Sequence, residues 1–175
     1  GREMVRQGDT EGAVSMLNAA ISVGANSAEV HYLLAVAQLR SGDVNGARKN
    51  AMTAYNLAGS QPYVAAIHVY VNAAMMADEA DDAIDELEEL VEGDPDNLSI
   101  ANELLRLHVY RQDYARVLRE ARALLKRNEA HTGVMLTMAR AYLGMKRYEL
   151  AGYVLQRALE LSPENGIALV LMSQV

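Results

Sequence analysis

The sequence contains no cysteine, phenylalanine or tryptophan, and tyrosine supplies all nine of its aromatic residues. The lack of cysteine excludes disulfide frameworks, thiolate zinc sites and cysteine nucleophiles, and it leaves the redox compartment open. Proline is scarce as well, with three residues in a chain of 175. What remains is rich in alanine, leucine and valine, so the composition predicts helices, and the length allows one domain with a substantial core.

Charge and hydropathy argue against two further classes of protein. Lys and Arg number 16 against 23 Asp and Glu, giving a net charge of −7, which argues against a nucleic-acid partner held by a basic surface. The longest apolar runs, such as residues 167–172, are about six residues long and too short to span a bilayer. No leader is visible, so cytoplasm and periplasm both stay open. Arginine outnumbers lysine thirteen to three, which favours a bacterial, GC-rich origin.

Small and apolar residues recur along the chain with a period of 34 to 36 residues, which is the signature of a repeat protein. The first recurring position holds Ala13, Ala47, Ala83, Val117 and Ala151. The second holds Leu17, Ala51, Leu87, Ala121 and Leu155, and the third holds Ala20, Ala54, Leu90, Leu124 and Ala158. A turn precedes each unit's marker, at Gly8-Asp9, Gly42-Asp43, Asp78-Glu79, Gln112-Asp113 and Lys146-Arg147. Within each period the spacing predicts two helices joined by that turn, with alanine allowing them a close approach.

This pattern resembles the tetratricopeptide repeat (TPR) family over essentially the whole chain. In residues 132–165 the matching residues are Met138, Ala139, Tyr142, Tyr148, Ala151, Leu155, Ala158 and Pro163. Residues 98–131 match less well at three positions. Leu104-Leu105 stands where the family usually has a small residue, Val117 stands in place of the alanine, and Glu129 stands in place of the proline. No unit has the family's tryptophan, and the two-residue excess at positions 58–62 indicates a lengthened turn.

The resemblance implies an all-α fold, a right-handed superhelical solenoid of antiparallel helix pairs. It divides residues 1–175, as a single array, into a partial repeat at 1–27, complete repeats at 28–63, 64–97, 98–131 and 132–165, and the start of a truncated repeat at 166–175. Residues 1–7 fit only the end of a first helix. Neither end has the polar helix that usually caps a repeat array, so we expect a piece of a longer array. The alternative is a short protein that dimerises through its last helix.

No motif predicts catalysis, a metal site or a cofactor. The four histidines, His31, His68, His108 and His131, form no pair with metal-ligand spacing, and no phosphate-binding glycine loop or nucleophile elbow is present. Carboxylates are abundant in residues 78–96, but a helix exterior offers nothing to desolvate them. We therefore expect a protein that is not an enzyme.

The acidity is concentrated in one repeat. Residues 64–97 carry eleven Asp and Glu and no Lys or Arg, whereas residues 98–131 carry seven Lys and Arg. Advancing the acids of the second helix by one repeat predicts four ion pairs: Asp82–Arg116, Asp85–Arg119, Glu88–Arg122 and Glu92–Lys126. The other interpretation is an acidic docking patch for a basic partner, but charge runs on helices are more often solvated faces.

TPR arrays bind partners mainly on a concave face lined by the first helix of each repeat, and this implies a set of groove residues. They are Tyr32, Val36, His68, Asn72, Asn102, Arg106, Tyr110 and Arg140. Asparagine can bond a peptide backbone in both directions, and arginine binds carboxylates in a forked geometry. The set predicts a protein or peptide partner, extended or helical, with an acidic group near Arg106 and Arg140.

The expected function is a non-catalytic protein–protein interaction scaffold or adaptor. Two alternatives stay open: an assembly module that self-associates through its terminal repeats, and a TPR arm of a larger bacterial secretion or enzyme machine. Neither the partner nor the compartment can be read from the sequence.

Overall fold

The computed structural model describes residues 3–4, 8–59 and 63–175. Within these ranges all regular secondary structure is helical, and no strand occurs. The helices are α1 (Thr10–Ser22), α2 (Ala28–Ser41), α3 (Val44–Leu57), α4 (Val64–Ala77), α5 (Ala80–Gly93), α6 (Leu98–Tyr110), α7 (Tyr114–Arg127), α8 (Thr132–Gly144), α9 (Tyr148–Leu161) and α10 (Gly166–Met172). The predicted helix end at 1–7 and the predicted long turn at 58–62 lie partly outside the described residues.

The chain divides into two compact units, Gly1–Ala83 and Ile84–Val175. In the first unit α1 packs on α2, α2 on α3 and α3 on α4, and α2 also contacts α4. In the second unit the helices from α6 to α10 pack on one another in order, and α8 also contacts both α6 and α10. Consecutive packing of helix pairs is the arrangement that the repeat pattern predicts, whereas the exact repeat boundaries stay predictions.

The recurring small residues are the core. All five members of the first recurring position are 0% exposed, and so are Ala51, Leu87, Ala121 and Leu155 of the second. A side chain of alanine size at the contact lets two helix axes approach closely, and larger side chains such as Leu34 and Leu105 fill the space on either side. Each helix pair is therefore held by the positions that define the repeat.

The turn inside each repeat has a backbone conformation of its own. Gly8 and Gly42 have φ values of +85° and +86°, and the same place in later repeats holds Asp78, Gln112 and Lys146, with φ values of +57°, +60° and +60°. These three are the positive-φ residues other than glycine within the described part of the chain. A left-handed conformation costs an L-residue roughly 1–2 kcal/mol, so the later repeats carry backbone strain that Gly42 avoids.

An aspartate directly after this turn caps the second helix at three places in the chain. Asp43 and Asp113 follow the turn directly, and their Oδ1 atoms accept hydrogen bonds from backbone N–H groups three residues ahead, at 2.9 and 3.2 Å. Asp9 caps α1 in the same way, at 2.9 Å. These bonds satisfy N–H groups that have no partner within the helix, so in these three repeats the turn and the cap together fix where the second helix begins. The helix α9 follows the same kind of turn without a side-chain cap bond.

A chain of side-chain hydrogen bonds joins α2 to α3 in the first unit. Gln38 Nε2 donates to Asp43 Oδ2 at 2.8 Å, and Asn50 Nδ2 donates to Gln38 Oε1 at 2.8 Å. Asn50 Oδ1 then lies 2.8 Å from Nδ1 of the buried His31, whose Nε2 lies 2.7 Å from Asn26 Oδ1. Because buried polar groups are costly unless they are paired, this histidine has a structural role in the core.

The predicted register of the acid–base pairs is wrong. Arg116 Nη2 lies 2.6 Å from Glu88 Oε1, and Arg116 Nε lies 2.8 Å from Glu120 Oε1. Glu88 was expected to pair with Arg122, which instead donates to the hydroxyl of Tyr142 at 3.1 Å. The real partner of Arg116 is six residues further along α5 than predicted, about 9 Å along a helix axis. Two residues that lie one repeat apart in the sequence would face each other only if the two helix axes were parallel and not shifted along one another.

His108 is a buried base next to this cluster. The residue is only 3% exposed, and the Nε2 atom of its ring has no hydrogen-bond partner among the described residues. Burial is the main cause that holds the pKa of His108 below its ordinary value, and the positive charge of Arg116 lowers it further. The carboxylates of Glu120, Asp113 and Glu88 act in the opposite direction but do not cancel these effects.

The strained turns can be relieved by glycine. We expect Gln112→Gly and Lys146→Gly each to raise the free energy of unfolding by about 0.5–1 kcal/mol, since glycine removes the left-handed penalty but loses more chain entropy. The reciprocal change Gly42→Gln should destabilise by a similar amount or more. Urea unfolding of the three variants measures this, and a loss of stability in both glycine variants would contradict it.

The lowered pKa of His108 predicts a loss of stability in mild acid. Below about pH 6.5 the unfolded chain takes up a proton that the folded chain resists, so unfolding becomes more favourable as the pH falls. We expect His108→Gln to flatten the decline of the melting temperature between pH 7.5 and 5.5. Removing the exposed His68 by His68→Gln is the matched control. Equal pH profiles for wild type and His108→Gln would rule out this role for His108.

Candidate partner-binding site

The eight predicted groove residues all lie on the first helices of the repeats. Tyr32 and Val36 are on α2, His68 and Asn72 on α4, Asn102, Arg106 and Tyr110 on α6, and Arg140 on α8. The first four belong to one compact unit and the other four to the second, so the two sets are described separately.

In the first unit the predicted residues differ in exposure. His68 is exposed and Asn72 is half-buried. Tyr32 is half-buried, and its ring packs against that of Tyr63, with centroids 4.9 Å apart and planes inclined by 48°. Val36 packs at the edge of a core cluster that contains Leu34, so part of its side chain serves the fold. This face offers an aromatic pair and polar groups.

In the second unit Asn102 is engaged inside the protein. It is buried, and its Oδ1 accepts a hydrogen bond of 2.8 Å from the hydroxyl of Thr137, which is 0% exposed. Gly133 leaves room for this contact, because a Cβ there would lie 3.3 Å from Asn102 Nδ2. Asn102 therefore links α6 to α8, because its carbonyl oxygen accepts the hydrogen bond from Thr137.

Arg106 forms an ion pair with Glu103, three residues earlier on α6. Both side chains are largely buried, with 17% of Arg106 and 8% of Glu103 exposed. A pair removed from water in this way has to be well matched, because an unpaired buried charge is strongly destabilising. The pair thus holds the Arg106 guanidinium in place on α6.

Arg140 is different, because no residue in the described part of the chain pairs with its charge. It is half-buried on α8, and among the residues that the structure describes none forms a hydrogen bond or ion pair with its guanidinium. Burial is the main cause that lowers its pKa, the positive charge of Arg106 lowers the pKa further, and Glu103 partly offsets both. The group stays protonated at any physiological pH, so it is a positive charge prepared for an anion.

Tyr110 completes the set at the C-terminal end of α6, where 41% of it is exposed. A tyrosine in such a place offers apolar area together with a hydroxyl, which suits a contact with a peptide. This face of the second unit therefore presents a positive charge at Arg140 and a partly exposed aromatic side chain at Tyr110.

Sequence reasoning missed Glu103 and Thr137 as members of this site. Glu103 could have been found, because an acid three residues before an arginine on one helix is a common ion-pair spacing. Nothing in the spacing of Thr137 shows that it would meet Asn102, since this contact depends on how α6 and α8 pack.

Two further kinds of site were sought in the described part of the chain, a metal site and a membrane-spanning helix. It contains no group of three histidine, aspartate or glutamate side chains placed to hold a metal ion. Among its helices, none combines the length and apolar character needed to cross a bilayer.

Comparison with protein families identifies the repeat directly. Two family models described as tetratricopeptide repeat match the chain, one over residues 4–53 and the other over residues 102–166. A search of curated proteins gave no significant match.

Solved structures show the same fold at low sequence identity. TTC0263, a thermophilic TPR protein of Thermus thermophilus, is 19% identical with a TM-score of 0.73, covering 99% of this chain and 94% of its own. MamA is 18% identical with a TM-score of 0.61, covering 94% and 88%. YrrB, described as a TPR protein with an unusual peptide-binding site, is 13% identical with a TM-score of 0.58, covering 98% and 88%.

These matches agree with what the helices show. The family models fall on both compact units, and the structural neighbours extend over nearly the whole chain. The helix pairs, the buried alanine positions and the repeated left-handed turn are the features from which such an array is built. We conclude that the chain belongs to the tetratricopeptide repeat family of protein-interaction scaffolds.

Proposed function

We propose that the chain is a non-catalytic scaffold that binds a peptide segment of a protein partner along its first helices, the face that TPR arrays turn toward their concave groove. The observation that carries the proposal is the half-buried Arg140, whose charge has no ion-pair partner among the described residues. Leaving a charge partly desolvated costs stability, and this cost is recovered if a ligand supplies the opposite charge.

The second unit suggests how the peptide is held. An acidic group of the peptide binds the guanidinium of Arg140, with Arg106 adding a second positive charge nearby. The exposed part of Tyr110 then contacts the peptide chain further along α6. Tyr32, Val36, His68, Asn72 and Asn102 are proposed as additional contacts, and the oxygen of Asn102 already accepts one hydrogen bond from Thr137.

A random peptide library displayed against the purified chain tests this function. We expect the selected peptides to contain an Asp or Glu, and Arg140→Ala to weaken their binding about tenfold or more, since hydrogen bonds to charged groups contribute roughly 1.5–3 kcal/mol. Arg157→Ala is the matched control, because it removes an exposed arginine of α9 that pairs with Glu160. Selected peptides that bind both variants as tightly as wild type would exclude a role for Arg140.

Self-association is the second candidate, and exposed apolar side chains near the C-terminal helices favour it. Tyr153 of α9 is 72% exposed, and Ile167, Leu169 and Val170 of α10 are 52%, 51% and 61% exposed. Apolar side chains of this size that are exposed to water mark interaction sites when they form a large patch.

Sedimentation velocity over a range of concentrations tests the second candidate. If these residues mediate association, the sedimentation coefficient should rise with concentration, and Val170→Asp should abolish the rise. Val23→Asp, at a residue that is 84% exposed in the first unit, is the control. A chain that sediments as a monomer at every concentration would exclude self-association as its function.

A further inference from the structure

An apolar hollow opens between α7 and α9, and α8 forms its floor. Its volume is about 250 Å³, and it is lined by apolar atoms of Leu125 on α7, Met135 and Met138 on α8, and Tyr153, Val154 and Arg157 on α9. Arg157 contributes its aliphatic stem, while its guanidinium pairs with Glu160 at 2.9 Å. Since a cavity of about 150 Å³ holds a benzene ring, the hollow has room for one large apolar side chain.

The repeat does not need apolar side chains around this hollow in order to fold. One repeat earlier, the positions equivalent to Tyr153 and Val154 hold Arg119 and Glu120. Those two side chains form an ion pair of 3.4 Å and are 71% and 31% exposed. The same place in the array therefore accepts charged residues, yet here it holds a tyrosine that is 72% exposed to water. Exposed apolar side chains around a hollow are typical of a binding site.

A positive charge without an opposite charge lies one helical turn from the hollow. Arg122 Nη2 donates to the hydroxyl of Tyr142 at 3.1 Å, and no carboxylate among the described residues pairs with this guanidinium. Arg122 precedes Leu125 by three residues on α7, and Tyr142 follows Met138 by four residues on α8. The hydrogen bond and the hollow therefore lie at neighbouring levels of one antiparallel helix pair, about 5 Å apart along the helix axis.

Arg122 is well placed to bind a carboxylate. Its bond to Tyr142 uses one of the five N–H groups of the guanidinium and holds the side chain in place, so less conformational freedom is lost when an anion binds. The remaining N–H groups can bind a carboxylate in a forked geometry. The hollow and this charge together favour a ligand that carries an apolar group and a carboxylate about one helical turn apart.

We propose that this surface is a second partner-binding site, which binds an acidic amphipathic helix of a protein partner. One apolar side chain of that helix enters the hollow. An Asp or Glu three or four residues away binds Arg122, because side chains at such positions on a helix lie about 5–6 Å apart. The site goes beyond the groove of the proposed function, since none of the eight groove residues lines the hollow.

A library of helical peptides tests this site. It consists of alanine-rich helices of about 20 residues with one randomised face, and it is selected against the full chain carrying Arg140→Ala, so that the groove does not contribute. We expect the selected peptides to carry Leu, Ile, Met or Phe with an Asp or Glu three or four residues away. Their binding should shift the ε-methyl NMR signals of Met135 and Met138, which form the floor of the hollow.

Three variants of the same chain assign the binding to the hollow and to Arg122. Arg122→Gln should weaken the selected peptides about tenfold or more, because it removes a hydrogen bond to a charged group. Tyr153→Arg combined with Val154→Glu should abolish binding and still fold, since it places the charged pair of the preceding repeat at the rim of the hollow. Arg119→Gln is the matched control. It removes an exposed arginine one turn further from the hollow on α7, so the affinity should change by less than about twofold.

Three results would overturn this site: no selected peptide, peptides that bind the double variant as tightly as the parent chain, or peptides whose affinity Arg122→Gln leaves unchanged. A second copy of the chain in the hollow would also overturn it. Such association would appear as a sedimentation coefficient that rises with concentration in wild type and stays constant in the double variant. If the double variant does not fold, Arg122→Gln against Arg119→Gln still decides the question.

The outcome is separate from that of the groove. If helical peptides bind here and no selected peptide depends on Arg140, the second site stands and the groove function fails. If peptides depend on Arg140 and none depends on Arg122, the groove function stands and the second site fails.

Discussion

The close approach of paired helices at a few alanine positions is the constraint on which the rest of this protein depends. Ala47 and Ala151 are completely buried at equivalent positions in two different repeats, and a larger side chain at either would push the helices apart. The contact needs the second helix to begin at a fixed place, and the left-handed turn sets that place, with an aspartate cap after it at Asp9, Asp43 and Asp113. Small buried residues and turns are therefore parts of one requirement, repeated every 34 to 36 residues.

This requirement explains why so much of the fold can be predicted from the sequence. A buried small residue and a turn are local features, and their period is visible without any structure. The turn prediction is confirmed even where glycine is missing, since Gln112 and Lys146 have a positive φ at the position equivalent to Gly42. The place of a residue in the repeat therefore determines its left-handed backbone conformation. Glycine adopts this conformation without strain, whereas the other residue types found there adopt it at a cost in free energy.

The candidate site was less predictable, for a physical reason. Its members were chosen by their place on the first helices, but their chemistry depends on contacts between helices. Asn102 is occupied by Thr137, 35 residues later. Arg116 pairs with Glu88 rather than with Asp82, which occupies the equivalent position one repeat earlier. The inclination and offset of the helices decide which long side chains meet. Sequence periodicity predicts the helix on which a side chain lies. It does not predict how far one helix is shifted along its neighbour, and this shift decides which side chains meet.

The polar groups of the second unit also separate structure from function. The hydrogen bond between Thr137 and Asn102 links α8 to α6, whereas the ion pair between Glu103 and Arg106 lies within α6. Arg140 lies on the same face and is matched by nothing within the described residues. A scaffold built from a repeated core has few constraints on its outward faces, so a charge that is partly desolvated and unpaired there does not follow from folding. Its cost is explained if an anion binds.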